Sequence, residues 1–508
     1  ISQAVAAGPG VLSLRAGDFT TNGSVLIAPA ERGPVDIAAA SRHNLEEAAW
    51  RGSLAGGVSL VATLRRYDEW RDNGTAYQQN SFRQLFGSLA LSGKIQADAT
   101  WSLTGYAIGQ QSSQTFSSVN AARTAETPAS NQFAVPATAV GSAASATWKD
   151  SSGTVTTVGL DVRDVAGETR EDYTYAAGSY ADQRFAGGRQ LFAGAFAEQS
   201  RILAPGLRAS AGVRLDRWEN SDGHLRNVAA TSGALLLQNL FPARAGTEFS
   251  PSAGLNWKAS GSLELHLTAQ HAFREPTLNE LYRPFRQGTT TTLANAALET
   301  EHADTAELGA AWRTGRLTVT SALFAARLEN PVSNVTLAQG PGTFPLFGTL
   351  PAGSVGQERL NLGRVDTQGV EAGAHWLAGG GFTLDASVID EEAQVASAPV
   401  SPALVGRTVP EVPRWSAALG ATWSWRRFSA SARVRWTGSQ FDDDQNQLPL
   451  ASAAVADVAA RFEATAHAEI FATVDNLGNA EVETAHSALG VFSVAPPRTA
   501  EVGARLSW

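Results

Sequence analysis

Segments of ten or more residues in which apolar and polar side chains alternate run through this chain from end to end. A period of two is the mark of a β-strand with one greasy face and one wet face. From Leu263 to Arg274, Leu263, Leu265, Leu267, Ala269, His271 and Phe273 oppose Glu264, His266, Thr268, Gln270, Ala272 and Arg274. Trp415, Ala417, Leu419, Ala421, Trp423 and Trp425 form one face of a second segment, and Phe428, Ala430, Ala432, Val434 and Trp436 one face of a third. Leu207 to Asp216 behaves the same way. Strands of soluble sheets usually run about five or six residues, whereas a tilted strand needs about 9–11 to cross a bilayer. The chain has no run of roughly 18 apolar residues, so a membrane helix is excluded. Charged residues make up only 17%, against roughly 25% in a typical soluble protein. Low charge without a greasy helix suits a membrane barrel, where alternation hides the apolar face from averages.

The lengths of the links carry a second message. Strands are expected near 10–18, 41–52, 57–68, 80–92, 95–108, 139–149, 153–166, 189–202, 206–218, 247–258, 261–274, 302–313, 315–329, 363–376, 381–394, 413–425, 427–439, 452–463, 467–478 and 498–508. Hairpins such as Ser92-Gly93-Lys94, Ala204-Pro205-Gly206 and Arg426-Arg427 are tight, while 109–138, 219–246 and 330–362 are long and rich in Gly, Ser, Thr, Asn and Pro. Outer-membrane barrels have short periplasmic turns and long extracellular loops. The alternation of short and long links therefore predicts which end faces which side, with the C-terminus in the periplasm. The expected fold is all-β: a transmembrane antiparallel β-barrel filling residues 1–508 as a single domain. A plugged barrel has about 22 strands, of which about 20 are visible here. The N-terminal plug and the first hairpin are expected to lie outside a chain that starts at Ile1 with no signal peptide.

Chemistry is sparse. A net charge of -9 and a pI near 5.5 argue against nucleic acid, which needs a basic surface. The absence of Cys removes disulfides, thiolate metal sites and a cysteine nucleophile. Gly87 to Lys94 imitates a phosphate loop, but its spacing is one residue too long and Ile95 stands where Ser or Thr must hold Mg²⁺. No G-x-S-x-G elbow and no H-E-x-x-H are present. His266 and His271 are an odd number apart and face opposite sides of one strand. Asp442-Asp443-Asp444 could hold a cation at a loop tip, although such runs are usually solvated. No catalytic residue, metal site or cofactor is expected. Inward charges (Arg208, Arg214, Glu264, Arg274, Arg433, Arg435, Arg505) would be costly in lipid and are expected to pair with the wall or a plug.

The chain ends in Glu501, Gly503, Leu506 and Trp508, with Trp508 suited to a membrane interface. The order polar, Gly, apolar, aromatic resembles the insertion signal read by the bacterial barrel-assembly machinery.

Further segments resemble TonB-dependent outer-membrane receptors. Phe273-Arg274-Glu275-Pro276-Thr277-Leu278-Asn279-Glu280-Leu281-Tyr282 is similar to the family's F-R-x-P-x-x-x-E-L-Y turn. Leu293 to Glu301 resembles the L-x-N-P-x-L-x-P-E loop, with Ala296 and Thr300 in place of its prolines. Glu307-Leu308-Gly309, Asn361 to Glu371, Val409 to Arg414 and Val474-Asp475-Asn476-Leu477 resemble later strand motifs, the last lacking the usual aromatic at Gly478. The resemblance spans roughly 260–508. It implies a gated importer, not an enzyme, in the bacterial outer membrane, surrounded by lipid and lipopolysaccharide. Such a receptor takes up a scarce small-molecule nutrient, such as a ferric siderophore or cobalamin, when TonB pulls on the plug. A passive porin is the alternative. Ligand contacts are expected on extracellular loops, at Trp70, Arg71, Asn73 and Tyr77 and at Tyr282, Arg283, Phe285 and Arg286, because aromatic faces with a few polar groups suit chelates.

Overall fold

In a lipid-bathed sheet every backbone N–H and C=O must find a partner inside the protein, so strands pair around a ring. A computed structural model describes residues 1–507 and contains one 22-stranded antiparallel sheet. In chain order its strands are β1 (Ser2–Ala7), β2 (Gly10–Thr21), β3 (Ser41–Ser53), β4 (Ser59–Asp72), β5 (Gln79–Gln96), β6 (Ala99–Val119), β7 (Glu126–Lys149) and β8 (Val155–Ala176). There follow β9 (Ser179–Ala204), β10 (Leu207–Ala229), β11 (Leu235–Leu240), β12 (Arg244–Lys258), β13 (Leu263–Arg274), β14 (Glu301–Thr314) and β15 (Leu317–Glu329). The last are β16 (Arg364–Gly379), β17 (Phe382–Ser397), β18 (Trp415–Trp425), β19 (Phe428–Thr437), β20 (Ala453–Thr465), β21 (Ala468–Asp475) and β22 (Thr499–Leu506). The first and last long links meet at one end, where Ala28 N donates to Phe492 O at 3.0 Å and Val494 N to Leu26 O at 2.6 Å.

Every segment read as a strand from the alternation belongs to this sheet. The two strands the alternation missed are β1 and β11. β1 is Ser-Gln-Ala-Val-Ala-Ala and β11 is Leu-Leu-Leu-Gln-Asn-Leu, and neither contrasts two faces. β11 and β12 share one edge of β10: His224 to Val228 pair with β11 and Leu207 to Asn220 with β12.

Several predicted links are strand. β6 to β10 run 21 to 26 residues each, so much of 109–138 and 219–246 is hydrogen-bonded sheet. These extensions rise beyond the bilayer, where both faces are wet; alternation disappears although backbone pairing continues. One predicted turn also moves. Ser92-Gly93-Lys94 lies within β5, with Gly93 opposite Trp101, and the chain reverses at Ala97-Asp98. Ten turns of two to five residues lie at one end of the sheet; the other end carries the long links, but also the two-residue reversal Ala177-Gly178 between β8 and β9 and the short links on either side of β11.

Exposure separates the two faces. Leu267, Leu308, Leu323, Leu419, Val502 and Leu506 are large, apolar and open to the surroundings, with Val502 at 77% and Leu506 at 67%. They are the outward register. The opposite register carries paired charges: Arg214 to Asp161 and Asp216, Arg313 to Glu264, Arg274 to Glu301, Arg435 to Asp457 and Arg505 to Glu469. Arg208 donates to Ser200 Oγ. Among the described residues Arg433 has no such partner.

Aromatic rings on the inward register lie over glycines directly opposite: Tyr106 on Gly141, Phe196 on Gly159, Trp218 on Gly246, His266 on Gly309, Phe324 on Gly369 and Phe471 on Gly503. A Cβ at these glycines would come within 2.1 to 2.6 Å of the ring. An aromatic shielding a cross-strand glycine stabilises a curved sheet, and here it keeps the inner wall flat. Gly503 of the terminal signal owes its identity to Phe471. Leu506 faces outward and Glu501 inward; Trp508 lies outside the described residues.

Tryptophan marks the membrane borders. Trp50, Trp101, Trp148, Trp257, Trp312, Trp376, Trp423 and Trp425 lie near the short turns, while Trp70, Trp415 and Trp436 lie near the long links. Trp415 and Trp425 stand at the two ends of β18. Ten residue steps at about 3.3 Å, tilted about 40°, span roughly 25 Å, the height of an outer-membrane apolar band. Leu419→Arg, within that band, is expected to cost about 2–4 kcal/mol in urea unfolding from lipid vesicles. Thr422→Arg, three residues on but facing inward, is expected to cost under about 1 kcal/mol by the same measurement.

Candidate functional site

Two long links, 275–300 and 330–363, do not spread into solvent. They form a four-stranded sheet of their own from Phe285–Gln287, Thr290–Leu293, Val355–Asn361 and Val332–Gln339, including one parallel pair. This sheet stands in the mouth at the long-link end, held there by an ordered turn.

The turn begins where β13 ends. Thr277 caps the helix α1 (Leu278–Tyr282), with Glu280 closing a reciprocal capping box, which satisfies two orphan N–H groups. Leu281 and Tyr282 are buried with Leu298. The Tyr282 ring stacks on Phe241 at 5.1 Å, and it lies against Gly188 of β9 and Gly223 of β10, where a side chain would collide with it. Polar groups complete the anchor. Gln190 Nε2 donates to Pro276 O at 2.8 Å, Asn220 Nδ2 to Glu275 Oε1 at 2.7 Å, and Thr300 Oγ1 to Glu275 Oε2 at 2.8 Å. Burial pushes the Glu275 carboxyl above its ordinary range. Arg244 donates to Ala296 O and Leu298 O.

Above this anchor three guanidiniums gather. Arg283 and Arg359 flank the Phe285 ring at 5.6 and 5.0 Å, and Arg184 covers Tyr173 at 4.1 Å while donating to Glu171 and Pro284 O. Arg359 donates to the carbonyls of Asn279 and Arg283. Burial pulls Arg283 down and Arg359 down to about 10. Buried positive charge answered mainly by neutral carbonyls leaves the mouth electrically favourable to an anion or to the face of a π-system.

The expected ligand residues divide. Tyr282 is only 3% exposed and acts as the peg of the turn. Arg283 and Phe285 belong to the guanidinium cluster, while Arg286 is exposed and donates to Gly288 O. Trp70 is on the outward register with Arg42 5.5 Å over its ring, a membrane-border position and not the mouth; Leu64, on the same parity of β4, is likewise open. Arg71 faces inward beside Glu69 at 3.6 Å. Asn73 closes the link to Gln78, and the Tyr77 hydroxyl bonds that of Tyr180. The two groups approach one hairpin, since Gln78 donates to Ser117 and Ser118 to Gly288 O.

Sequence reading missed Tyr173, Tyr175, Tyr180, Arg184 and Arg359. Three of the seven tyrosines fall within 173–180, a local bias that could have flagged this rim. Tyr175 and Tyr180 meet edge to face at 5.1 Å.

The acidic run holds loops together. Asp442 accepts from His486 N, Asp443 from the N–H groups of Gln445, Gln447 and Leu448, and Asp444 from the N–H and hydroxyl of Thr336. Burial raises the Asp444 carboxyl above its ordinary value. A raised folded pKa means that stability from this group is complete below the unfolded value and is lost as pH rises through the folded one.

With this geometry in view, the comparisons are informative. Residues 35–477 match the family model "TonB dependent receptor-like, beta-barrel". Among solved structures, "Copper transporter OprC" superposes with a TM-score of 0.80 at 16% identity, covering 99% of this chain and 78% of that one. The ferric yersiniabactin uptake receptor FyuA from Yersinia pestis gives 0.73 at 15% identity, covering 100% and 77%. The siderophore receptor PiuA from Acinetobacter baumannii gives 0.75 at 11%, covering 100% and 79%. Identities this low establish the common barrel alone. A search of curated protein sequences gives no match.

Two outcomes are expected. Tyr282→Ala should loosen the turn by about 3 kcal/mol, read as faster hydrogen exchange over 275–300 with the barrel strands unchanged. The protection of the amides of 332–339, measured against their intrinsic exchange rates, should rise as pH falls from neutral through the raised Asp444 value, and Asp444→Asn should make that protection independent of pH.

Proposed function

The chain belongs to the TonB-dependent receptor family, and from that premise we propose that it imports an organic chelate of iron, or a comparable nutrient such as cobalamin, through the outer membrane. Membership of the family makes it an outer-membrane nutrient transporter and not an enzyme. The cargo class is read from the mouth. Neither Cys nor Met occurs in this chain, so its wall and rim offer a bare soft metal ion no thiolate or thioether. What the rim offers is aromatic faces and guanidiniums: Tyr77, Tyr175, Tyr180, Phe285, Arg283 and Arg286. Those groups suit a ligand that wraps its metal in an anionic or π-rich shell.

The observation that carries this reading is the sheet of two loops standing in the mouth on the Tyr282 peg. A diffusion channel would need that route open, which disfavours the passive porin. By the same topology the short turns and the C-terminus face the periplasm, where TonB would act through a plug segment. Lipid and lipopolysaccharide would surround the outward register, and the barrel-assembly machinery would read Glu501, Gly503, Leu506 and Trp508. Arg71 and Asn73 are assigned to the same rim; Trp70 is left to the membrane border.

Uptake of a labelled ferric chelate by cells expressing the full-length receptor should saturate and stop when the proton-motive force is dissipated. Tyr180→Ala with Arg286→Ala should weaken cargo binding about tenfold, the effect of losing roughly 1.4 kcal/mol of contact, with the amount of receptor unchanged. Flux that is linear in concentration and indifferent to TonB would instead mean a diffusion channel.

A further inference from the structure

The tall part of the wall ends in an edge that import does not use. β6 to β10 rise above the membrane together, and β11 (Leu235–Leu240) ends that group by pairing with the upper half of β10. β12 joins β10 only from Asn220 downward, and among the described residues no strand pairs with the far side of β11. The ladder fixes what that side presents. Phe241 N donates to Gly223 O at 2.8 Å, and bonded pairs alternate along an antiparallel ladder. Asn239 and Leu237 therefore bond to β10, opposite Leu225 and Asn227. Gln238 and Leu240 turn their N–H and C=O groups away from it.

Height rules out hydrocarbon as the cover. His224, opposite Leu240, lies seventeen residues beyond Leu207, the partner of the border residue Trp257. At about 3.3 Å per residue and about 40° of tilt this is roughly 43 Å along the membrane normal. The apolar band is only about 25 Å tall. The edge is apolar all the same. All six residues of β11 are exposed, with Leu235 at 57%, Leu236 at 55%, Leu237 at 40% and Leu240 at 72%. No charged residue stands between Arg226 and Arg244.

An open edge is a template for another strand, and proteins usually guard it with lysine, proline or a covering loop. β11 has none of these; its one irregularity is a register shift at its start, between Asn227 and Val228. The partner's chemistry follows from complementarity of charge. N–H and C=O groups in alternation carry partial charges of opposite sign, which another extended backbone matches in order and spacing. The leucines add apolar contacts along the same edge. A second copy fits poorly. Standing upright in the same membrane, its β11 would also run towards the bilayer, so the two edges would meet in parallel, the weaker ladder.

We propose that β11 is a docking edge for an extended apolar segment of a second, extracellular polypeptide, which adds antiparallel to it through Gln238 and Leu240. The assignment rests on the long links facing outwards, as proposed above, and not on the nature of the cargo.

Residue-resolved amide hydrogen exchange of the full-length receptor in lipid nanodiscs tests it. The probe is a synthetic peptide of alternating Val and Thr, flanked by Lys. It should slow exchange at Gln238 and Leu240 about tenfold and leave Leu237 and Asn239, already bonded to β10, as they were. The same peptide N-methylated throughout keeps its side chains but loses its donors, and should bind about tenfold more weakly. Gln238→Pro removes a free N–H without touching the β10 ladder, as edge strands tolerate, and should weaken binding alike. Leu240→Lys, the guard that natural edges carry, should do the same. Leu346→Lys, at an exposed leucine of another link, should not. Heat-modifiable gel migration confirms that each variant is folded. Equal binding of the parent and N-methylated peptides, or of the parent by wild type and Gln238→Pro, would overturn the proposal. Self-association of the wild type that Gln238→Pro abolishes would overturn it too, by placing a second copy on the edge. Chelate uptake should be the same in Gln238→Pro, so loss of the docking reading leaves import standing.

Discussion

Lipid offers no hydrogen-bond partner to a peptide group, and each unmet N–H or C=O there costs several kcal/mol. Most of what is unusual about this chain follows from that. Its strands pair with neighbours in one continuous sheet, and its reversals within the membrane's reach are as short as two residues, at Pro205-Gly206, Gly380-Gly381 and Arg426-Arg427. The large apolar residues are not gathered into a core but displayed on the outside. The largest fully buried side chains include Leu281, Leu298, Leu450 and Val335, which belong to the loops. The molecule is inverted relative to a soluble protein: greasy without, charged within, and packed only at its mouth.

The same solvent sets borders that the side chains respect. Tryptophans cluster near the turns and reappear ten residues up at Trp415, and the outward face turns from Leu308 to Ala306 to Asp304 within five residues. Inside, water allows charges such as Arg214 with Asp161 and Asp216, and glycines let rings lie flat against the wall. Where strands rise clear of the bilayer the constraint lapses. There β6 to β10 keep their ladder but lose the two-faced pattern, and Tyr173, Arg184 and Glu171 can meet in the mouth.

The mouth obeys different physics. It is built by ordinary burial and hydrogen bonding, with Tyr282 wedged on two glycines and Glu275 satisfied by Asn220 and Thr300. Val335, Leu362, Val365, Val395 and Leu404 form a second small core among the loops. Gathering Arg184, Arg283 and Arg359 near only two carboxylates, Glu171 and Glu280, opposes stability, because buried charge must be compensated. That cost fits a surface kept for recognition.

Sequence alone determined the barrel, its two faces, the sorting of turns from loops and the family, because a two-residue period imposed by lipid is written locally and repeats in every strand. Tertiary structure alone decided the rest. β11, with no contrast between its faces, became a strand only because the upper half of β10 needed a partner. Trp70 proved to face the membrane and Tyr282 the interior, since parity and packing depend on register with distant strands. Arg359 reaches Phe285 through a pairing between segments far apart in the chain. Such encounters have no local period to announce them, and only the assembly of the whole sheet brings them about.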